Sequence, residues 1–210
     1  MLMRTCIALI VCLLPLMLEA SQRAVTDEGV VVILNDDGTW APENPDEADS
    51  DKIPTNSAEF KKPSGATFSL KSTVNDSEIW LDPKDWSFKK ATTNQAAEYE
   101  LQLKGKDLYA MLITEQVTID MDKLTQIALQ SAKSKAPNMR IVDREYRVVN
   151  GNKLVYMEMR GSMNGIDFTY RGYYYSDKTG TTQFVTYTGT NLRDKYGQDT
   201  ENLLNGFTIQ

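Results

Sequence analysis

The 210-residue chain carries 23 basic and 29 acidic residues, two cysteines and no histidine. Without histidine the usual general base near neutral pH and the commonest metal ligand are missing. Both cysteines, Cys6 and Cys12, lie in the opening segment, which excludes thiol catalysis and a Cys/His zinc site from everything after it.

The chain opens MLMRTCIALIVCLLPLMLEA, where one base, Arg4, precedes an apolar run from Cys6 to Leu18 broken by Pro15. That run is shorter than the ~20 residues a membrane-spanning helix needs. Basic start, short apolar centre and small Ala20 predict a signal peptide over 1–20, cut after Ala20, and export to the periplasm or beyond. The Leu-Ile-Val-Cys12 run loosely resembles a lipobox, so anchoring of the exported chain through a lipid on Cys12 is the alternative. After cleavage at Ala20 no cysteine is left to form a disulfide. No later apolar run approaches ~20 residues, which predicts no transmembrane segment in the mature chain.

Charge is unevenly spread: residues 21–52 sum to −7 and residues 53–210 to +1. A neutral body has little counterion-release drive toward nucleic acid, and no nucleic-acid partner is expected. Lys133, Lys135, Arg140, Arg144 and Arg147 read as a solvated basic face, with an anion patch as the sharper reading. Within 21–42, Val30–Leu34, the turn Asn35-Asp36-Asp37-Gly38 and Thr39-Trp40 predict a β-hairpin, because Asp-Gly supplies positive-φ positions. An isolated two-stranded hairpin is marginal. This one is apolar on both faces, so it is expected to dock on its own domain or on a second molecule through Val30, Val32, Leu34 and Trp40. Residues 43–65 are rich in Pro, Ser, Asn and acids and read as an acidic flexible linker. Its Asp46/Asp49/Asp51 cluster lacks the alternating loop of a calcium site.

The main domain is expected over 66–210. Ala66–Lys71, Glu78–Leu81, Ala97–Leu103 and Leu108–Val117 are strand candidates, and Asp82–Trp86 is a turn with an apolar anchor. Asp120 is a helix cap, followed at helical spacing by Met121, Leu124, Ile127, Ala128 and Ala132, with Pro137 as terminator. That places Asp120 and Asp122 in a helix-terminus role; a catalytic carboxylate pair is the alternative. Four strands follow, Arg140–Val149, Leu154–Arg160, Ile166–Tyr175 and Gln183–Thr188, with Asn-Gly in two of their connections. A last helix starts near Asn191 and ends at Asn205-Gly206.

Strands, one long helix, a meander and a closing helix predict an α+β domain: an antiparallel sheet with helices packed on its faces. The Asp82–Trp86 turn, the helix before the long meander and the closing YGQDTENLLNGF together resemble the PsbP-like families over residues ~64–210. The front Leu34-Asn-Asp-Asp-Gly-Thr-Trp40 resembles a short DGTW hairpin of exported bacterial proteins. The PsbP-like resemblance implies an α/β/α sandwich and, mostly, a non-enzymatic accessory or binding role; it assigns no functional residue here.

No Gly-x-Ser-x-Gly elbow, P-loop or dinucleotide fingerprint occurs. Carboxylate-only hydrolysis survives the missing histidine, yet Asp82, Asp107, Asp120, Asp177 and Asp194 sit in turns and helix starts. The strand Ile166–Tyr175 alternates Phe168, Tyr170, Gly172 and Tyr174 with Thr169, Arg171, Tyr173 and Tyr175, aromatic on both faces. Tyr156 shares a face with Glu158 and Arg160, which suggests a mixed polar–aromatic groove. The expected function is that of an exported, non-catalytic accessory or binding domain engaging a protein or an envelope component, without cofactor or metal. The alternatives are a small-ligand carrier using the Tyr-rich face, with Tyr156, Phe168, Tyr170 and Tyr174, and a carboxylate hydrolase.

Overall fold

The computed structural model describes residues 22–25, 31–43 and 53–210. Residues 1–20, expected to be a signal peptide, with Cys12 among them, and also Val30 and the Asp46/Asp49/Asp51 cluster lie outside the described residues. The chain divides into two units, Met1–Lys52 and Ile53–Gln210.

In the first unit, β1 (Gln22–Val25), β2 (Val31–Leu34) and β3 (Trp40–Pro42) form an antiparallel sheet in that order. The expected hairpin is thus the second half of a three-stranded meander. Its turn is built as its residues predict: Gly38 takes φ +81°. The Asp37 carboxylate accepts the Thr39 N–H at 2.9 Å, and Asn35 N–H donates to Thr39 O at 2.9 Å. The added strand, Gln-Arg-Ala-Val, has no apolar alternation to announce it.

The second unit is built on an eight-stranded sheet. In chain order its strands are β4 (Thr55–Phe60), β7 (Trp86–Lys90), β8 (Ala97–Leu103), β9 (Tyr109–Glu115), β10 (Arg140–Val149), β11 (Asn152–Met163), β12 (Ile166–Asp177) and β13 (Gly180–Gly189). In space they run β4-β10-β11-β12-β13-β9-β8-β7. The meander β10 to β13 is antiparallel throughout, and two of its turns are Asn-Gly with positive φ at both residues: Asn150-Gly151 (49° and 84°) and Asn164-Gly165 (53° and 78°). A smaller sheet joins β5 (Phe68–Lys71), β6 (Ser77–Leu81) and β14 (Phe207–Ile209) in the order β14-β6-β5.

The central strands are buried on both sides. Along β11, Leu154 and Tyr156 join one core cluster while Val155 and Met157 join another, as the period-two pleat requires. One face meets α1 (Met121–Lys133), whose Leu124 and Ala128 pack with Val155, Met157, Met159, Tyr174 and Val185. Asp120 caps α1 by accepting the N–H groups of Asp122 and Lys123 at 3.0 and 3.2 Å. Thr125 rather than Ile127 turns inward: Thr125 is fully buried and Ile127 is 46% exposed. The other face meets the small sheet and α2 (Gly197–Leu204) through Leu70, Ile79, Leu81, Leu203, Leu204 and Phe207.

Four expectations change. The large sheet is mixed, since β4 pairs in parallel with β10. Its second face is covered by three short strands and one two-turn helix, so strand dominates where a helical layer was expected. Residues 55–60, assigned to the linker, are an edge strand: Tyr146 N–H donates to Pro54 O at 2.7 Å and Asn150 N–H to Phe60 O at 2.9 Å. Finally, the closing helix is split into a 3₁₀ turn (Thr190–Leu192) and α2.

Gly206 also differs in its reason for being glycine. Its φ is not left-handed; instead a Cβ there would lie 1.9 Å from Trp80 O, because Trp80 N–H bonds to Gly206 O at 2.8 Å. Gly206→Ala is therefore expected to destabilise the fold by about 3 kcal/mol through overpacking. Gly197→Ala, where a Cβ meets nothing within 4 Å, should be neutral or stabilise by up to about 1 kcal/mol. Urea unfolding of the two variants checks the contrast.

Candidate functional site

The two faces of β11 and β12 carry opposite chemistry. On the α2 side, Glu158 is 1% exposed and accepts from Arg160 (Nε 2.9 Å, Nη2 2.6 Å) and from Arg193 Nη2 at 2.8 Å. Arg171 Nε donates to the Tyr156 hydroxyl at 2.9 Å, and Arg171 also pairs with Glu201 on α2. Arg147 completes the network: it bonds Glu145 Oε1 at 2.6 Å and Glu201 Oε2 at 3.2 Å. Its guanidinium lies 3.7 Å from the Tyr156 ring centroid and 4.5 Å from that of Phe60. The network thus ties β4, β10, β11, β12 and α2 together. Burial acts to raise the Glu158 pKa, but the hydrogen bonds from Arg193 and Arg160 outweigh it and hold the carboxyl below the usual range. A carboxylate so held is a poor proton donor.

On the α1 side the same strands present apolar and aromatic groups. Met159, Tyr170, Tyr187, Tyr109 and Gln102 lie in one cross-strand row over five strands. Within it, Tyr170 and Tyr187 stack at 5.7 Å and 24°, and Tyr187 and Tyr109 at 5.4 Å and 21°. Rings stacked along the row cover each other's faces, so only the outer faces of Tyr170 and Tyr109 are left to neighbours. Beyond Tyr170, between α1 and the sheet, lies a cavity of about 260 Å³. Met111, Met139, Met159 and Met163 line it together with Phe168, Tyr170, Tyr174 and Val185, and Ala128, Ala132 and Ala136 supply the α1-side wall. The small residues make the space: Gly161, also in the lining, would set a Cβ 2.9 Å from Met139 Cα. Polar groups in the lining are Asn94, Ser131, Lys135 and Gln183 besides the two phenols. Tyr174 is 1% exposed, and burial alone pushes its ionisation up.

The residues singled out from the sequence are thereby divided. Phe168, Tyr170 and Tyr174 line one cavity, as the Tyr-rich face suggests. Tyr156 is on the opposite face, where it shares the ion network with Glu158 and Arg160 as the alternation suggests, and is separated from Phe168, Tyr170 and Tyr174. In the first unit Val32 is buried, while Leu34 and Trp40 are 38% and 60% exposed. The basic string is broken up as well, because Arg147 is buried in the network. Sequence reasoning missed the methionines and alanines of the cavity, whose signal was the small-residue series Ala128, Ala132, Ala136 facing a strand with Gly161. It also missed Glu201, Arg171 and Arg193 as partners, which only the folded chain brings together.

Glu158 gives a pH prediction. Its folded pKa is depressed, so its stabilisation is present above the unfolded value of about 4.3 and is lost as pH falls through the folded value. Glu158→Gln should lower stability at pH 7 by about 2 kcal/mol, by leaving the partly buried Arg160 and Arg193 guanidinium groups short of a counter-charge. It should also flatten the loss of stability below pH 5, checked by urea midpoints at several pH values.

No protein-family model and no curated protein matches the chain. Solved structures do match. Cyanobacterial PsbP (CyanoP) from Synechocystis sp. PCC 6803 is similar over 70% of this chain and 95% of its own, at 9% identity and a TM-score of 0.53. LpqN, involved in cell envelope biogenesis of Mycobacterium tuberculosis, is similar over 68% of this chain and 90% of its own, at 16% identity and a TM-score of 0.45. Set beside the sheet order and the two-sided core, the likeness to CyanoP establishes that this chain has a PsbP-like fold.

Proposed function

We propose that the protein is an exported, non-catalytic binding domain that holds a small apolar ligand between α1 and the Tyr-rich face of its sheet. The observation that carries this reading is the cavity of about 260 Å³ with largely apolar walls, to which Tyr170, Tyr174, Gln183 and Lys135 add a few polar groups. Concave apolar sites with a few polar groups are the usual form of small-molecule sites. Export rests on the signal-peptide pattern of residues 1–20, and no helix among the described residues is long and apolar enough to cross a membrane. A non-catalytic role is supported by the lack of histidine and by the ionised, arginine-clamped state of Glu158. Nile red should bind the purified protein saturably, and Ala132→Phe, which fills the cavity from α1, should abolish that binding with the circular dichroism unchanged. Saturable binding that survives the filled cavity, or none in the parent, overturns the reading.

The exposed Trp40 and Leu34 favour a second reading for the front meander, as a docking element for a protein or envelope partner. Amides of Val31–Leu34 and Trp40 should gain protection from hydrogen exchange when the full chain is mixed with envelope extract. Equal exchange in both samples rules this out.

A further inference from the structure

We infer that the cavity beneath α1 takes a single-chain amphiphile with an anionic head, its apolar body inside and its head against Lys135 at the mouth. The inference rests on the proposed use of this cavity as the binding site and adds the chemical class of what fills it.

Polarity in the lining is sorted by depth. Ala128, Ala136, Met139, Met159, Tyr174 and Val185 are at most 7% exposed and form the inner wall. The exposed members of the lining are Asn94, Ser131, Lys135 and Met163, and three of these four are polar. A ligand that matches this gradient is apolar at one end and polar at the other. The thioethers of Met111, Met139 and Met159 adapt to different apolar shapes, since unbranched side chains re-pack at little cost. Because a cavity of ~150 Å³ admits the six carbons of benzene, the volume of about 260 Å³ holds roughly ten carbons, one chain and not two.

The sign of the polar end follows from charge. Lys135 is the one charged residue in the lining, and no carboxylate stands there to neutralise it. Its ammonium makes no ion pair, hydrogen bond or ring contact among the described residues. Nor is it needed to close the end of α1. The Gln130 carbonyl accepts the Ser134 N–H at 3.1 Å, and the Ser131 carbonyl accepts the Ser134 hydroxyl at 2.7 Å. The Ala132 carbonyl accepts the N–H groups of Lys135 and Ala136 at 3.1 and 2.9 Å. The negative end of the helix dipole amounts to about half a charge, less than the two ammonium groups of Lys133 and Lys135 beside it. A cationic head would meet Lys135 as a like charge, and a neutral head would gain nothing from its charge. An anionic head pairs with it at the place where the apolar walls end.

The test is displacement of Nile red from the full chain at pH 7 by octanoate, octylammonium and 1-octanol, one chain length with three heads. At low salt octanoate should displace the dye at a concentration about fivefold below octylammonium, the most that an exposed ion pair gives. The gap should close in about 1 M salt, where screening reaches within ~3 Å. Lys135→Gln should weaken octanoate about fivefold and shift octanol by less than about twofold. Lys135→Glu should reverse the order, with octylammonium ahead of octanoate. Lys135 is exposed, so neither variant endangers the fold. Octylammonium competing as well as octanoate in the parent overturns the inference, as does octanoate displacement that Lys135→Gln weakens no more than that of octanol. A two-chain source of the same charge is separated by sedimentation with dioleoylphosphatidylglycerol vesicles, from which the chain should stay in the supernatant. Pelleting that Lys135→Gln abolishes assigns Lys135 to a membrane surface and overturns the single-chain ligand. If octanol alone displaces the dye and Ala132→Phe abolishes that displacement, the anionic head fails while the cavity stands; if the dye does not bind at all, the binding reading fails with it.

Discussion

Everything in the second unit depends on the register of β11 against β12. These two strands are buried on both faces, and the faces want opposite things. Glu158 and Arg171 are register partners on the α2 side, and one residue along, Met159 and Tyr170 are register partners on the α1 side. Because side chains alternate, a slip of one residue would put the carboxylate and guanidinium under α1 and the apolar pair among charges. A buried charge without its partner is far more destabilising than a lost apolar contact. The ion network therefore acts as a lock on alignment, whatever its net contribution to stability, and the cavity inherits its geometry from that lock.

The division of labour between the faces has a physical logic. Arginines and glutamates held in a mutual network have few alternative arrangements, since each guanidinium presents a rigid fork of donors. Arg147, held between the rings of Phe60 and Tyr156 and bonded to Glu145 and Glu201, is the extreme case. The α1 side is the opposite. Its contacts are thioethers, alanines and a glycine, which determine a volume without specifying a shape. One face fixes the scaffold so that the other is free to accommodate.

How much of this was legible in the sequence follows from how local each signal is. Asn150-Gly151 and Asn164-Gly165 specify their turns by themselves, so the meander and its hairpins were readable. Asp120 likewise caps α1 with its own side chain. β4 was not readable: Thr-Asn-Ser-Ala-Glu-Phe has one large apolar residue, and its strand conformation comes from pairing with β10, more than eighty residues further along the chain. β7 failed for a similar reason, with Trp86 buried and the four residues after it exposed. In the site, period-two alternation identified Phe168, Tyr170 and Tyr174 as one face, but alternation within a strand cannot say which face of a neighbouring strand it joins. Tyr156 keeps Glu158 and Arg160 beside it, as alternation along its own strand indicates, but the sheet puts it on the face away from Tyr170 and Tyr174. Gly206 resembled a helix terminator and is in fact a point of close backbone approach.

The two outer strands of the large sheet, β4 and β7, are only six and five residues long. Glu59 pairs with Lys61 at one border, and Lys89 and Lys90 close the other. Short, charged margins are poor templates for recruiting a further strand from another chain. A protein that is rich in strand is thereby guarded against open-ended, amyloid-like stacking, and contacts with other molecules are directed to its broad surfaces instead of its borders.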